Sequence, residues 1–497
     1  MGATALVFSA FSLYCSVSLL IFLFICISAV LFLYFIILKK RALLTFGTLI
    51  TYLCLIAVTV SCIFSILFVY TPTAKLVGSV AEFEGVVTNK PEKHGIIYSY
   101  NLKGSHSLLE GEFKCSVVTN KRLFEMGDSV RLALECEPLD KEYKNNDLAN
   151  GRFVSAKIDD VISVSRKASP FYTTLGNLQK YIKNRILATD RNDIGGVMIA
   201  LLSGDRSYIS DSFYGKTKVC GVTHVMVVSG LHVSILSGVL LNFFQKIKLR
   251  RRIASFAVFL ALMLLIAICD FHLSAIRSVI MSVIILSGSL FFRKADPLNS
   301  LGLAVWIMVT VNPFIAGSVS FLLSVMATFG VVFLSPMISF LTEKLRLKGI
   351  FALPFNYIID SVVVSLSATI CLIPLLVEYF GSVTLLSPLV TALIGFMVGV
   401  VITLTVLGVS VSAIPYVKII SVPILYVAGL CTGYINAVID FFGNMNFTIL
   451  PIDHAWSFVS ALLSAAFIFA VWLLYKKKLK ERKNEDAAKR EDSEKLA

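Results

Sequence analysis

Long apolar stretches separated by short basic turns make up most of the chain. They predict eleven membrane-spanning helices, near residues 6–38, 42–70, 219–245, 253–270, 272–292, 297–312, 317–341, 355–379, 384–412, 419–442 and 455–475. A helix needs about 20 apolar residues to cross a bilayer, and most of these stretches meet that length. The stretch 384–412 is long enough for one tilted helix or for a broken pair. The apolar runs are continuous rather than alternating, which excludes a β-barrel as the main architecture.

The basic turns predict the orientation of these helices, because cytoplasmic loops carry the excess of Lys and Arg. With eleven spans, every basic turn falls on the same side of the membrane: Lys39-Lys40-Arg41, Arg250-Arg251-Arg252, Arg293-Lys294, Lys344/Arg346/Lys348, Lys418 and the tail from Lys476. We therefore expect residues 71–215 to lie outside the cell. Residues 1–38 are too long and too apolar for a removable signal peptide and predict a retained span.

Composition supports a membrane protein and narrows its chemistry. The chain is 57% apolar, with a mean hydropathy of +0.83, which excludes a soluble globular protein of this size. The net charge of +14 is explained by topology, by a polyanionic partner, or by both. The ten cysteines include no C-x-x-C pair, so we expect neither a metal site nor a redox motif, and no cofactor.

The large polar region, residues 71–168, has the pattern of a small β domain. Five segments predict strands: Val77–Thr88, Gly95–Leu102, Glu112–Thr119, Ser129–Cys136 and Phe153–Val164. Five short strands fit a five-stranded OB barrel, with a β-sandwich fragment as the alternative. Cys115 and Cys136 share this extracytoplasmic domain, where oxidation persists. We expect a disulfide between them; two buried free thiols are the alternative.

Two short helices are predicted between the β domain and the later spans. In residues 173–190, one face carries Leu175, Leu178, Ile182 and Ile186, whereas Lys180, Lys183 and Arg185 lie off it. This pattern is typical of a helix on the outer leaflet. The stretch 194–202 is too short to span, and we expect an interfacial or re-entrant helix that is capped by Asp193 and ends at Gly204.

Polar residues inside the predicted spans are the strongest candidates for a functional site, because polar groups at bilayer depth are costly. Ser229 and His232 lie three residues apart on one helix face, and His224 lies two turns away, too far to share a metal. His232 is a candidate for lining a pore; a packing histidine is the alternative. A nucleophilic Ser–His pair lacks an evident orienting carboxylate.

Arg277 lies several residues inside another span and needs an acceptor in the protein interior. Insertion scales put the cost of an arginine at bilayer centre at roughly 2.5–3.5 kcal/mol. Asp270, in the outer turn before that span, is one candidate acceptor. A phosphate in transit is the other, and the two do not exclude each other.

The order and spacing of several motifs resemble the ComEC/Rec2 family of competence proteins over about residues 170–475. The residues that carry the resemblance are Gly204-Asp205-Arg206, His224, Ser229-Gly230-Leu231-His232-Val233, Arg277, Asp296-Pro297-Leu298-Asn299-Ser300-Leu301-Gly302-Leu303-Ala304, Asn312-Pro313 and Ser320-Phe321-Leu322-Leu323-Ser324. The resemblance implies a bacterial cytoplasmic-membrane channel that passes one strand of transforming DNA. Residues 76–165 are similar to that family's extracytoplasmic OB-like domain.

The resemblance also implies a domain plan and partners. We expect two transmembrane helices in 1–70, the OB-like domain in 71–168, amphipathic and interfacial helices in 169–215, the channel domain in 216–475 and a charged cytoplasmic tail in 476–497. Many relatives carry a further metallo-β-lactamase-like nuclease domain, and this sequence shows none, so nuclease activity is not carried over. We expect single-stranded DNA and membrane lipid as partners, with a cytoplasmic ATP-driven motor, a DNA receptor, a separate nuclease and a homo-oligomer as further ones.

The function predicted from the sequence is therefore a non-enzymatic channel for single-stranded DNA. The candidate DNA path comprises Asp205, Arg206, His224, Ser229, His232, Asp270 and Arg277. In the β domain, the candidates for base stacking and phosphate contact are Tyr98, Tyr100, Lys103, Phe113 and Lys114, although a barrel core also uses such aromatics. The alternatives are a small-solute or lipid transporter and an intramembrane hydrolase.

Overall fold

The computed structural model describes residues 42–94, 97–107, 109–140, 144–189, 192–226, 228–290, 295–347, 352–445 and 449–496. These residues divide into two compact units. The first falls within Met1–Ala188 and Leu236–Leu322, and the second within Thr189–Ile235 and Leu323–Ala497.

The β domain of the first unit is a closed barrel of five strands with one short extra strand. The strands are β1 (Val80–Val87), β2 (Glu92–His94), β3 (Ile97–His106), β4 (Leu109–Thr119), β5 (Ser129–Glu137) and β6 (Arg152–Ser165). They pair in the order β1-β5-β6-β4-β3-β2, and an additional β1–β3 pairing closes the ring. The β4–β6 pair is parallel and the others are antiparallel. All five predicted strands are present, and the short β2 was not predicted.

Alternating burial along the strands explains the barrel, since successive side chains point to opposite faces. Phe83, Tyr100, Leu102, Leu132 and Leu134 are fully buried and fill its centre. The closing pair needs glycine at one point, where Gly85 of β1 lies opposite Gly104 of β3. A Cβ added to Gly104 would lie 2.1 Å from the Glu84 carbonyl oxygen, so no other residue fits without moving a strand.

The helices of the first unit are α1 (Ala42–Phe64), continued by a π-helical turn and a short helix to Ala74, α2 (Lys144–Ala149), α3 (Pro170–Leu187), most of α6 (Gly230–Lys246), α7 (Arg251–Ile268), α8 (Leu273–Leu290) and α9 (Pro297–Val311). The start of α9 follows the sequence signal: Asp296 Oδ1 accepts the Leu298 N–H at 2.9 Å, with proline at the first helical position.

Helix α3 differs from the predicted surface helix. It lies against the barrel, because a Cβ on Gly176 would be 3.5 Å from Met126, and it reaches the end of α7 through Gln179. Lys183, expected off the apolar face, is buried. The apolar stripe therefore packs within the protein, where it joins barrel and helices in one unit.

The second unit contains α4 (Asp193–Ser203), α5 (Asp211–Val219), the first residues of α6, most of α10 (Val319–Leu341, with a π-helical turn at Gly330–Leu334), α11 (Ala352–Phe380), α12 (Ser387–Ser412), α13 (Lys418–Gly443) and α14 (Ser457–Leu496). Short strands β7 (Ser382–Thr384) and β8 (Ile449–Pro451) pair with each other. Helix α12 is continuous, so the predicted span 384–412 contains one helix and not a broken pair. The N-cap of α4 is Asn192, whereas the Asp193 carboxylate instead accepts the Ser210 N–H and hydroxyl at 2.8 Å each.

Seven helices in the described residues are long and apolar enough to cross a membrane: Leu53–Ala74, Arg251–Ile268, Val319–Leu341, Phe355–Phe380, Ser387–Ser412, Pro415–Gly443 and His454–Arg482. This supports a multi-pass membrane protein. The predicted span 6–38 lies outside the described residues. The predicted spans 272–292 and 297–312 are the shorter apolar helices Leu273–Gly288 and Pro297–Val311. The predicted span 219–245 is not one helix, because a turn at Gly221 (φ 68°) and a 3₁₀ segment interrupt it.

Candidate functional site

Ser229 and His232 meet at the start of α6, in the second unit. The Ser229 backbone N–H donates to His232 Nδ1 at 2.9 Å, and Ser229 Oγ also lies 2.9 Å from Nδ1. Ser229 is the residue before the helix and His232 the third residue within it. This is the geometry of a capping box with histidine in the position that Glu or Gln usually takes. The pair predicted from the spacing is therefore formed, and it caps a helix.

The capping contact fixes the tautomer of His232. A backbone N–H can only donate, so Nδ1 is the acceptor and the neutral ring carries its proton on Nε2. The side chain is 2% exposed. Nε2 has no hydrogen-bond partner among the residues that the structure describes. A buried donor without a partner is uncommon and calls for an explanation.

His224 occupies a different position from His232. It lies in the 3₁₀ turn Thr223–Val225 and is exposed, and its Nδ1 is 3.1 Å from the Gly221 carbonyl oxygen. The same oxygen accepts the Ser387 hydroxyl at 3.0 Å. The two histidines share no hydrogen bond, and within the described ranges no three His, Cys, Asp or Glu residues are arranged to hold a metal ion.

The loop with Asp205 and Arg206 forms an exposed cluster of cations and one aromatic ring. Asp205 Oδ1 accepts the Ser207 N–H at 3.0 Å, which shapes the turn after Gly204. The Arg206 guanidinium donates to the Tyr214 hydroxyl and lies 5.3 Å from the Tyr214 ring centre, and Lys218 Nζ lies 5.0 Å from the same centre. Sequence reasoning missed Tyr214, although Tyr and Lys four residues apart on a helix share a face.

Arg277 is buried in α8 of the first unit. Its guanidinium donates to the Met281 sulfur and to the Ser278 hydroxyl, each at 3.0 Å. Among the described residues, no ion pair joins Arg277 and Asp270, so the predicted pairing is not formed. Asp270 Oδ1 instead accepts the Gln179 amide at 2.9 Å, and the same amide donates to the carbonyl oxygens of Ala267 and Ile268.

Gln179 explains how the turn after α7 is held. Asp270 and Phe271 have φ of 51° and 57°, two successive left-handed residues that are not glycine. Such a conformation costs about 1–2 kcal/mol per residue, and the Gln179 amide stabilises it by three contacts. The sequence signal for Gln179 is an amide in line with Leu175, Ile182 and Ile186 on the apolar face of α3.

The β-domain candidates separate into core and surface. Tyr100 and Phe113 are buried in the barrel core, where the Tyr100 hydroxyl accepts the Leu123 N–H at 2.9 Å, so neither ring lies on the surface where a base could stack. Tyr98 is partly buried against the core. The core position follows from the alternation along β3 and β4, which points these rings inward.

Lys103 and Lys114 remain on the surface and lie opposite each other on β3 and β4, and Arg152 of β6 lies opposite Lys114. We call Lys103, Lys114 and Arg152 the cation row. Glu112 lies 3.0 Å from Lys103 and raises its pKa, and Asp147 lies 2.9 Å from Arg152. The pKa of Lys114 is lowered, first by partial burial and then by the charges of Lys103 and Arg152. Lys114 has no ion-pair partner within the described part of the chain.

Cys115 and Cys136 are free, buried thiols, so the predicted disulfide is not formed. Cys115 lies opposite Val154 and Cys136 opposite Ala156, which places β6 between them. Two strand spacings are roughly 9.5 Å, whereas disulfides need Cα atoms about 4.4–6.8 Å apart. Burial raises the pKa of both thiols.

Comparison with known proteins identifies relatives of the chain. A family model described as "Competence protein" matches residues 201–477, more than half of the 497 residues. The chain is also similar to ComE operon protein 3 of Bacillus subtilis (strain 168), with 26% identity over 214 residues, which cover 42% of this chain and 26% of that protein. The chain thus matches about a quarter of the relative's length. No solved structure matches the chain.

Proposed function

The chain belongs to the competence protein family, and we propose that it acts in DNA uptake as a channel that passes single-stranded DNA across the cytoplasmic membrane. The observation that carries this proposal is where the family match falls. It covers residues 201–477, which include the capped His232 of the second unit and the buried Arg277 of the first. Each is a hydrogen-bond donor in an apolar helical segment, where a polar group is costly and usually functional.

The proposed topology has eleven spans. Seven long apolar helices and the shorter helices α8 and α9 account for nine of the predicted stretches. The remaining two are 6–38, outside the described residues, and 219–245, whose helical part is α6. We propose that α6 and the turn before it form a broken, partly re-entrant segment, as irregular backbone in membranes borders cavities. The basic turns then lie in the cytoplasm and the β domain outside.

The β domain is proposed to receive the DNA as an OB-like barrel. Five strands in a closed ring support this assignment. In the cation row, Lys103 and Arg152 are paired with Glu112 and Asp147, which leaves Lys114 as the positive group available for a DNA phosphate. With Tyr100 and Phe113 in the core, Tyr98 is the predicted aromatic that remains near the surface. Binding of single-stranded DNA to the β domain therefore relies on phosphate contacts more than on base stacking.

We propose no catalytic role for Ser229 and His232. The Ser229 N–H occupies the same nitrogen that would accept a proton from the Ser229 hydroxyl. A Ser–His pair also needs a group that orients the second ring nitrogen, and Nε2 has no partner in the described ranges. In this proposal a cytoplasmic ATP-driven motor moves the DNA, a DNA receptor and a nuclease are separate partners, and the chain assembles as a homo-oligomer.

Uptake of end-labelled duplex DNA by cells that lack the gene and carry it on a plasmid tests the proposal. We expect labelled single strands inside the cells only when the chain is present. Lys114→Glu should reduce uptake severalfold, whereas Lys157→Glu, a charge reversal at another exposed lysine of the barrel, should leave it near normal. Normal membrane levels of the chain with no internal single strands would contradict the proposal and favour a small-solute or lipid transporter.

A further inference from the structure

The start of α6 combines backbone N–H groups that have no intrahelical acceptor with one buried side-chain donor that has no partner among the described residues. An α-helix leaves the N–H groups of its first turn without an intrahelical partner, and here these belong to Gly230, Leu231 and His232. Ser229 Oγ, which as the N-cap would ordinarily accept one of them, lies 2.9 Å from His232 Nδ1 instead. The His232 ring then adds its own donor, the buried Nε2–H that has no partner in the described residues.

The surroundings favour an anion at this position. The helix dipole is positive at its N-terminus, and α6 has no acidic residue in its first turn. The sequence from Gly221 to Lys246 contains no Asp or Glu at all. Backbone N–H groups at a helix start and the dipole together form the usual anion site of proteins.

Helix α12 of the same unit borders this segment and carries a second donor without a partner. Ser387 Oγ donates to the Gly221 carbonyl oxygen at 3.0 Å, and a Cβ on Gly399 would lie 3.3 Å from Ile235 Cδ1. Thr391 lies on α12 between these two contacts. Its Oγ1 is buried and, like His232 Nε2, has no partner among the described residues.

From these observations we infer that the N-terminus of α6, with His232 Nε2, is a binding site for a phosphate oxyanion. The source of that oxyanion is the DNA backbone, and this part rests on the proposed function. The His232 ring is closed off from solvent in this structure, at 2% exposed, whereas Leu231 beside it in the first turn is 49% exposed. A DNA strand that passes through the channel would displace the neighbouring groups, and its phosphate oxygen would accept the hydrogen bond from His232 Nε2–H. Lipid phosphate has the same chemistry and is distinguished in the experiment.

Two variants at one position separate anion binding from helix capping. His232→Gln keeps an acceptor for the Ser229 N–H and an amide donor in place of Nε2–H. His232→Glu also keeps the acceptor, and Ser-x-x-Glu is the usual capping box, but it replaces the donor with a carboxylate. A capping role alone predicts that the two variants behave alike.

The assay measures binding of a short oligothymidylate to the purified full chain in phosphatidylcholine nanodiscs. We expect His232→Gln to bind within about threefold of the natural chain and His232→Glu at least about tenfold more weakly, at equal melting temperature. A methylphosphonate strand, which lacks the backbone charge, should not distinguish the variants. Equal affinity of two folded variants for oligothymidylate would overturn the site.

A second measurement covers the case in which His232→Glu does not fold. The chain has six histidines, so ¹⁵N-histidine labelling gives few signals, and the His232 signal is assigned by its loss in His232→Gln. We expect Nε2 to carry the proton and its resonance to move when oligothymidylate or inorganic phosphate is added. A resonance that neither probe moves would overturn the site.

The same measurements separate the site from the proposed function. If inorganic phosphate or phosphatidylglycerol nanodiscs move the resonance and oligothymidylate does not bind, the oxyanion site stands and DNA as its source is overturned. If cells take up labelled DNA equally well with His232→Glu and with the natural chain, the site is overturned and the proposed function stands.

Discussion

Asn312 joins the barrel to the helices of the first unit, and its loss should release α2. Asn312 Nδ2 donates to the carbonyl oxygens of Leu148 and Ala149, at 3.3 and 2.9 Å, and its Oδ1 accepts the Phe314 N–H at 3.0 Å. Around these bonds the Phe314 ring contacts the Phe153 ring edge-on, with centres 5.9 Å apart. The Asn312 side chain therefore has two separable roles. Its Nδ2 bonds to Leu148 and Ala149, which we call the clasp, hold α2, and its Oδ1 caps the Pro313–Gly317 turn.

Asn312→Asp tests the clasp alone. The carboxylate keeps the acceptor for Phe314 N–H but cannot donate to the two carbonyl oxygens. Each net hydrogen bond contributes about 1 kcal/mol, so the clasp stabilises α2 by about 2 kcal/mol. Amide exchange at residues 144–151 should then become about 30-fold faster, while exchange in strands β3–β5 changes little. Asn312→Ala also removes the cap and should lower the melting temperature of the whole chain further.

Hydrogen–deuterium exchange with mass spectrometry on the purified chain measures this effect peptide by peptide. Asn299→Asp is the matched control, because Asn299 lies at the exposed start of α9 and its amide contacts only Asp296 at 3.1 Å among the described residues. If Asn312→Asp leaves exchange of 144–151 at the level of Asn299→Asp, the two Nδ2 hydrogen bonds do not hold α2 in place.

Three further predictions concern stability. Gln179→Glu should destabilise the first unit by about 2–3 kcal/mol, because it removes three donor contacts and adds a second carboxylate beside Asp270. The control in thermal unfolding is Gln245→Glu, at an exposed site. Equal melting temperatures of the two variants would show that Gln179 does not stabilise the turn at Asp270. Tyr100→Phe should destabilise the barrel by about 1–2 kcal/mol, because the Leu123 N–H loses its acceptor. The affinity for oligothymidylate should not change. A folded Tyr100→Phe barrel with lower affinity would show that Tyr100 contacts DNA. Burial lowers the pKa of His106 below its ordinary value, so protonation of His106 favours the unfolded barrel. The stability of the barrel should therefore be highest above about pH 6.5 and should fall as the pH drops below that value. In His106→Phe this fall should be smaller, as measured by amide exchange of β3 and β4 across the same pH range.

Periodic signals in the sequence predicted the elements correctly where burial alone decides the structure. The strands of the barrel alternate with period two, and Asp296-Pro297 starts α9 as helix-capping rules require. The predicted roles failed where a choice depended on which face a residue occupies. Tyr100 and Phe113 share the inward face of their strands with Leu102 and Cys115, and the alternation already placed them in the core.

The remaining differences arise from tertiary contacts that a single sequence does not encode locally. Hydropathy joined 219–245 into one span, whereas Gly221 and the contact with Ser387 break it and let Ser229 cap a new helix. Cys115 and Cys136 lie on strands separated by β6, a separation that follows from the strand order. The Asp270 carboxylate contacts Gln179, a residue about ninety positions earlier, and no spacing rule connects them.

Passage of single-stranded DNA through the purified chain is the direct test of the proposed channel. The chain is reconstituted in phosphatidylcholine vesicles that contain a quenched hairpin complementary to an external oligonucleotide, so hybridisation traps each strand that enters. We expect fluorescence to rise with the single strand, and not with the same sequence as a duplex or in vesicles without the chain. Vesicles that hold folded chain and admit a small fluorescent solute but never the single strand would contradict the proposed channel.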